Sequence, residues 1–353
     1  MGLSEKSKRY LILSISFLAA SILLLVLANC FPGFGQWYSV HIYSNIVNIA
    51  GRLFGFLPFS VSEILLYVMF GTVLIYLVLA VIKKRKLIHG TIIILFAASV
   101  LFFLYTANCG VNYHRTSFAY SAEIYADDYT VEELVQVCLI LTEQVNGAAE
   151  LVMRDSEGVM VLESSVSERA PNVMHTLSGD YPQLAGYYPK AKGLMIPWIL
   201  SVQKITGIYS PFTIEANYNT GMTDYNIPFT ACHELSHLRG FMQEEEANFI
   251  AYLACIQAED ADFRYSGSLR GWISCMNLLY QSDSQRWSEI RGYLNPKVEA
   301  DLQANRLYWQ QFDGRTAELA EKINDNYLKV NGQTDGIKSY SRMADLIVAY
   351  YLR

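Results

Sequence analysis

The sequence lacks the patterns that identify several large classes of protein. No P-loop, GxSxG or GxGxxG motif stands in a context that would support it, and there is no internal repeat or low-complexity tract. The six cysteines are widely spaced and none forms a CxxC pair, which favours buried free thiols over a disulfide framework. They are Cys30, Cys109, Cys138, Cys232, Cys255 and Cys275.

Acidic residues are scarce in the first third of the chain. Residues 1–110 carry eight basic and two acidic side chains, a net charge of +6, whereas the whole chain carries −6 at pH 7. The remaining 243 residues therefore carry −12. This acidity argues against nucleic-acid binding, which needs clustered Lys and Arg. The contrast predicts a basic, apolar membrane anchor followed by a soluble domain.

Long apolar runs are concentrated in the anchor region. They cover about 10–31, 64–82 and 91–107, lengths suited to crossing a hydrocarbon core about 30 Å thick. The first run is longer than the core of a signal peptide, and the residues around Cys30 lack a small-x-small cleavage pattern. We therefore expect residues 1–110 to be a retained anchor that is embedded in the lipid bilayer.

Basic residues indicate how these spans are oriented. Lys6, Lys8 and Arg9 precede the first span, and the run 83–86 (KKRK) separates the second from the third. Basic clusters beside membrane spans stay in the cytoplasm. We therefore expect a cytoplasmic N-terminus, with an outer loop over 32–61 and everything after residue 110 on the outer face.

The outer loop contains an apolar stretch that is too mixed to cross a membrane. Residues 37–60 are interrupted by Asn45, Asn48, Arg52 and Pro58. An interfacial helix followed by a turn fits this composition, and a loop packed on the outer domain fits it equally well.

The region 111–353 is predicted to be a mostly helical domain. Thr130 is placed to cap a helix over 131–153, whereas periodicity is poor over 154–190. Residues 208–218 are rich in aromatic and β-branched side chains, which predicts a strand. Glycine, proline and asparagine signals then separate six helical segments. These segments cover about 243–259, 266–281, 284–293, 296–312, 314–331 and 338–352.

The strongest chemical signal is an HExxH motif formed by His233, Glu234 and His237. On a helix, residues i and i+4 lie on one face, so both imidazoles can bind one Zn²⁺ ion. Glu234 points about 100° round the helix, where it can take a proton from metal-bound water and later pass one to the leaving amine. An exposed helix face with two solvated histidines is the alternative interpretation.

A catalytic zinc ion needs a third protein ligand, and three glutamates follow the motif. In an unbroken helix Glu244 would lie about 10 Å along the axis from His237, too far to share a metal. We therefore expect Gly240 to end the helix in a left-handed conformation, so that the chain folds back. Glu244 is the favoured metal ligand, with Asn248 orienting a histidine from the same helix face, and Glu246 and Glu245 are the alternatives.

HExxH followed by ExxAN at 244–248 resembles the gluzincin peptidases, particularly membrane-bound ones whose second helix carries ExxAD. The resemblance implies a zincin-like fold with one zinc ion. This chain departs from the pattern at Asn248, where those peptidases have Asp, and in the unusually short separation between the two motifs. The first departure alters the charge beside the metal ligands.

Matching pieces elsewhere point to a second, broader resemblance. They are 57–60, 110–115, 211–217, 228–237, 244–249 and 339–340. Over nearly the whole chain, the sequence resembles an uncharacterised bacterial membrane family catalogued as domain of unknown function 3810. The expected fold class is α+β and mostly helical: three N-terminal transmembrane helices precede a zincin-like extracytoplasmic domain with a small sheet.

In zincin-like folds, the strand before the HExxH helix is an edge strand that pairs with an extended peptide. This resemblance implies that Ala216 and Asn217 face the substrate; a plain sheet edge is the alternative. Glu215 could also be a buried partner for a histidine.

Two C-terminal residues, Tyr340 and Arg342, are candidates for stabilising the oxyanion, with Tyr340 the preferred catalytic partner of Glu234. His114 and His175 have no partner at ligand spacing and are expected to be structural.

The expected function is hydrolysis of peptides or cell-envelope proteins by a membrane-anchored zinc peptidase at the outer face of the bacterial cell membrane. The alternative is a non-catalytic zinc-binding sensor or interaction domain, suggested by Asn248 and by the three-span anchor. The sequence argues against an intramembrane protease, because residues 222–242 contain too many polar and charged side chains to form a membrane span.

Overall fold

The computed structural model describes residues 4–82, 88–125, 128–331, 333 and 342–353. Within these residues the chain is mostly helical and contains one three-stranded sheet. The chain divides into two compact units. The first comprises Met1–Arg115 together with Ser210–Glu215, and the second comprises Thr116–Tyr209 together with Ala216–Arg353.

The first unit contains the three helices of the described chain that are long and apolar enough to cross a membrane. They are α1 (Glu5–Cys30), α4 (Val61–Ile82) and α5 (Ile88–Asn108). Each predicted apolar run lies inside or closely overlaps one of them, which confirms the prediction of three apolar helices. Their direction through a membrane stays a prediction, and the basic run 83–86 lies outside the described residues.

Helices α1 and α5 pack against each other. The buried residues of α1 are Ser7, Ser14, Ser21 and Ala28, all small and spaced seven apart. Seven residues are close to two helical turns, so these side chains form one stripe that allows a close approach between helices.

The segment between α1 and α4 is helical over most of its length. Helix α2 (Phe34–Tyr38) continues through a π-helical segment, Ser39–Tyr43, into α3 (Ser44–Gly55). A helix is therefore present where one was expected, and its interfacial position stays a prediction.

A short segment from later in the chain, Ser210–Glu215, also belongs to the first unit. Asn108 donates a hydrogen bond of 2.7 Å to the carbonyl of Pro211. The Glu215 carboxylate accepts hydrogen bonds from the backbone N–H groups of Val61 and Ser62, at 3.0 and 2.8 Å. These are N–H groups at the start of α4 that have no partner inside the helix. Glu215 therefore caps a helix. Its suggested role as a partner of a histidine stays a prediction.

The second unit is centred on three helices that pack on one another: α10 (Asn226–Leu238), α11 (Glu244–Ile256) and α12 (Ala261–Ser282). The other α-helices of this unit are α6 (Phe118–Ser121), α7 (Val131–Ala149), α8 (Val166–Asp180), α9 (Trp198–Ser201), α13 (Ser284–Arg291), α14 (Pro296–Gln310), α15 (Arg315–Val330) and α16 (Arg342–Leu352). Helices α7, α8 and α16 contact the central three.

Helix α7 begins as predicted. The Thr130 side chain accepts a hydrogen bond from the Glu133 N–H, and the Glu133 carboxylate accepts one from the Thr130 N–H, which is a complete capping box. Helix α8 was not predicted, because Pro171 and several polar residues obscure its pattern. Its buried residues nevertheless recur at helical spacing, a pattern that predicts an amphipathic helix. That face comprises Val166, Ala170, Pro171, Val173, Met174 and Leu177.

The sheet has the strand order β1-β3-β2, with β1 (Lys192–Gly193), β2 (Gly207–Ser210) and β3 (Glu215–Tyr218). Strand β1 runs parallel to β3 and places Lys192 opposite Asn217. The single strand predicted over 208–218 is two strands, because the chain turns between them with Ile214 at a φ of +52°. Since β3 is the middle strand, the prediction that it forms a sheet edge is wrong.

Candidate metal centre

Helix α10 carries the HExxH motif and is almost entirely buried. Pro228 is its third residue, a position where the missing N–H breaks no helical hydrogen bond. His233 and His237 follow one turn apart, and their Nε2 atoms lie 3.0 Å from each other. The rings meet edge to face with centroids 4.5 Å apart. Both imidazoles therefore direct the same ring nitrogen into one region, as their spacing predicts.

A glycine-dependent turn ends α10. Gly240 has a φ of +90°, in the left-handed region that favours glycine. Its N–H donates to the carbonyl of His237 at 2.8 Å, and the N–H of Phe241 donates to the carbonyl of Ser236 at 3.2 Å. These two bonds form the Schellman motif that closes many helices. The prediction that Gly240 ends the helix is confirmed.

The same turn orients one histidine ring. His237 Nδ1 lies 2.8 Å from the carbonyl oxygen of Phe241, so Nδ1–H donates and Nε2 of the neutral ring keeps its lone pair. His233 Nδ1 is buried and has no hydrogen-bond partner among the described residues. Asn248 is buried but bonds to neither Nδ1 atom, so its expected role in orienting a histidine stays a prediction.

Glu244, the first residue of α11, faces the two histidines. Its carboxylate oxygens lie 3.4 Å from His233 Nε2 and 3.6 Å from His237 Nε2. One ligand atom from each of the three residues lies within 4.8 Å of the other two. The turn at Gly240 therefore returns the carboxylate to the histidines, which a continuous helix would prevent.

The two neighbouring glutamates have other partners. Glu245 accepts a hydrogen bond of 2.6 Å from Gln333 Nε2, and its other oxygen lies 3.7 Å from the guanidinium of Arg342. Glu246 accepts a longer one, 3.4 Å, from the N–H of Ala119. Of the three glutamates, Glu244 is the one that lies in the cluster.

Burial and mutual charge determine the ionisation of the cluster. Burial raises the pKa of Glu244, but the two histidines outweigh it and hold that pKa well below its usual range. Burial lowers the pKa of His237, but Glu244 outweighs it and raises the pKa to about 9. The pKa of His233 is lowered by burial and by His237. A cation bound between these groups would displace a proton from His237, because a metal-binding imidazole must be neutral.

Glu234 lies on the same helix but outside the three-residue cluster. Its side chain is buried, and burial raises its pKa to about 8. The backbone N–H of Tyr209 in strand β2 donates a hydrogen bond to its carboxylate. Gly207 of the same strand approaches so closely that a Cβ atom there would lie 2.6 Å from Glu234 Oε1. Sequence reasoning missed both strand residues, because only folding brings them to the helix.

The three side chains lie close enough together to share one metal ion. Zinc binds nitrogen and carboxylate oxygen at about 2.0–2.2 Å, so the corners of the tetrahedron lie about 3.3–3.6 Å apart. The two Nε2 atoms lie 3.0 Å apart, Glu244 Oε2 lies 3.4 Å from His233 and Glu244 Oε1 lies 3.6 Å from His237. With one ligand atom from each residue, the three atoms lie within 4.8 Å of one another. Two imidazole nitrogens and one carboxylate are also a ligand set that zinc accepts. The residues present could therefore hold a zinc ion, with His233, His237 and Glu244 as its protein ligands.

The residues expected to face a substrate are buried. Ala216 and Asn217 are 0% and 1% exposed and lie in β3, between the other two strands. Strand addition needs a free edge, so it is not available to these two residues.

The remaining candidates lie outside the cluster. Tyr340 lies outside the described residues, and Arg342 contacts Glu245. His175 packs edge-on against Tyr188, with ring centroids 5.2 Å apart. His114 lies in the first unit.

Fold and site together define a mostly helical protein with three apolar helices of membrane-spanning length and a largely buried His–His–Glu cluster. The chain belongs to the family described as "Protein of unknown function (DUF3810)", whose sequence profile matches residues 38–348. The resemblance to that family is thereby confirmed. Comparison with curated proteins and with solved structures found no match.

Proposed function

We propose that this chain is a membrane-anchored zinc-dependent peptidase with a zincin-like domain at the outer face of the bacterial cell membrane. The observation that carries the proposal is that ligand atoms of His233, His237 and Glu244 lie within 4.8 Å of one another. The two histidines lie on α10, which also carries Glu234, and Glu244 begins α11. Three protein ligands are typical of catalytic zinc sites, whereas structural sites usually have four.

Each residue has a defined task in this proposal. His233, His237 and Glu244 would hold a zinc ion, which when bound polarises the scissile carbonyl and acidifies water. Glu234 accepts the proton from water at a carboxylate oxygen and later donates it to the leaving amine nitrogen. The Tyr209 N–H keeps that carboxylate in place between the two transfers.

The distribution of charge and apolar sequence supports hydrolysis outside the bilayer. The cluster lies in the second unit, while the three apolar helices lie in the first. The basic clusters at 6–9 and 83–86 favour a cytoplasmic location for the ends of the apolar runs beside them. The substrate class is then a peptide or a protein of the cell envelope.

A second candidate function is a zinc-binding sensor or interaction domain without catalysis. The low exposure of the cluster favours it, since the side chains of His233, His237 and Glu244 are 12%, 10% and 14% exposed. The two candidates differ in the fourth zinc ligand. A protein side chain in that position favours the sensor, and water favours the peptidase.

The test uses the full-length chain in detergent or nanodiscs. We expect about one zinc per chain and cleavage of unstructured peptides, with Glu234→Gln keeping the zinc and the fold but lowering kcat by about 10²–10⁴-fold. The matched control is Glu143→Gln, the same change at an exposed position of helix α7, which should hydrolyse peptides like the wild type. Unchanged hydrolysis in Glu234→Gln, or a chain without zinc, would contradict the proposal.

A further inference from the structure

We propose that Gly207 is a positioning residue for the general base: strand β2 must carry glycine at this point so that the Glu234 carboxylate can bind the Tyr209 N–H. The inference rests on the proposed peptidase function and adds to it a residue outside the HExxH motif. Gly207 acts through Glu234 and is assigned no contact with the substrate.

The space beside Gly207 is closed on three sides. A Cβ atom at this position would lie 2.6 Å from Glu234 Oε1, 2.6 Å from Thr230 Cγ2 and 2.9 Å from the carbonyl oxygen of Asn217. Ordinary contacts between heavy atoms of this kind lie at about 3.5–4.0 Å. An added methyl group therefore has to move at least one of these neighbours.

These neighbours are poorly placed to move. Thr230 and Glu234 lie one turn apart on the buried helix α10, and the Asn217 carbonyl belongs to the middle strand of the sheet. Glu234, Thr230 and Asn217 are 3%, 4% and 1% exposed. The Glu234 side chain is the most flexible of the three, so it is the group that an alanine at position 207 would displace.

Backbone conformation does not explain the glycine. The φ of Gly207 lies outside the left-handed region, so an alanine could adopt the same backbone without strain. What the position requires is the absence of a side chain. Gly207 and Tyr209 are two residues apart, and their N–H groups therefore face the same side of β2. Strand β2 thus supplies both the gap that admits the carboxylate and the donor that holds it.

The experiment compares Gly207→Ala with Gly179→Ala in the full-length chain. Gly179 lies in helix α8, and a Cβ atom added there would have no neighbouring atom within 4 Å. Gly179→Ala is therefore the control for a glycine-to-alanine change that causes no steric crowding. We expect Gly207→Ala to lower kcat by about 10–10²-fold, the effect of misplacing a catalytic group by about 1 Å. KM should change less than about twofold and zinc content should stay at one per chain, since neither substrate binding nor a ligand is altered.

A second variant separates positioning from packing. Thr230→Ser removes Cγ2, one of the crowded atoms, and leaves Glu234 Oε1 in place. In the double variant Gly207→Ala/Thr230→Ser, we expect the melting temperature to recover towards that of Thr230→Ser while kcat stays low. Recovery of kcat together with stability would show a packing role only and would overturn the inference.

Structure and activity readouts distinguish the possible failures. A crystal structure of Gly207→Ala should show the Glu234 carboxylate moved away from the Tyr209 nitrogen. An active wild type with an unchanged kcat in Gly207→Ala overturns this inference alone. A wild-type chain that hydrolyses no peptide overturns the proposed function and this inference with it.

Discussion

His237 Nδ1 and the carbonyl oxygen of Phe241 lie 2.8 Å apart, and this contact ties the end of a helix to the orientation of a candidate metal ligand. Phe241 reaches that position because Gly240 turns the chain with a φ of +90°. The turn also starts the return of the chain to Glu244, which lies 3.6 Å from the other nitrogen of the same ring. One glycine therefore supports both the orientation of the ring and the approach of the carboxylate.

Replacing Gly240 should weaken zinc binding as well as stability. Alanine in the left-handed conformation costs about 1–2 kcal/mol, so Gly240→Ala should lower the free energy of unfolding by that amount. We expect its zinc affinity to fall about 10-fold, since loss of a partner that orients a ligand costs about 10–100-fold. Chelator competition measures the affinity, and Gly240→Asn is the matched control because asparagine tolerates this conformation better. Equal zinc affinity in Gly240→Ala and wild type would contradict the prediction.

The three successive glutamates should differ sharply in their effect on zinc. Glu244→Gln should lower zinc affinity by more than about 100-fold, because it removes a charged ligand. Glu245→Gln and Glu246→Gln should keep about one zinc per chain, because their carboxylates face Gln333 and Ala119 instead. Metal analysis after dialysis gives the result. Loss of zinc in Glu246→Gln with retention in Glu244→Gln would assign the third ligand to Glu246.

Zinc should stabilise the folded chain through the same cluster. A ligand present at about 100 times its Kd adds about 2.7 kcal/mol to the free energy of unfolding. Chelation should therefore lower the melting temperature of the wild type, and added zinc should restore it. Glu244→Gln should show no such shift at the same zinc concentration. A wild-type melting temperature that is insensitive to chelation would argue against a resident ion.

The orientation of the chain can be tested by cysteine labelling in intact cells. Cys30 is the one exposed cysteine among the six, so Cys30→Ser provides the background for new sites. Ser284→Cys, at an exposed position in the second unit, should react with an impermeant maleimide in intact cells. Glu5→Cys, before the first apolar run, should react only after permeabilisation. The reverse pattern of labelling would place the metal cluster in the cytoplasm.

The elements that were predicted well depend on local sequence. The three apolar runs became the helices α1, α4 and α5, because length and hydropathy alone identify such segments. Thr130 and Glu133 form the capping box that their spacing indicates. The end of α10 at Gly240 is also determined locally, because glycine enters the left-handed region without steric cost.

The errors involve contacts between distant parts of the chain. The strand 208–218 is interrupted because residues 210–215 enter the first unit, where Glu215 caps α4. No periodicity in that segment shows that its partner lies 154 residues earlier. The position of β3 in the sheet could not be predicted either, because its composition suits an edge strand and a middle strand equally well.

By itself, the sequence determined the HExxH spacing, the helix end at Gly240 and the apolar helices, because each depends on residues within a few turns of one another. The tertiary structure alone decided that Glu244 joins the histidines while Glu245 and Glu246 face elsewhere. It also decided that Gly207 and Tyr209 enclose Glu234. These relationships depend on how helices and strands pack, and no local rule relates residue 207 to residue 234.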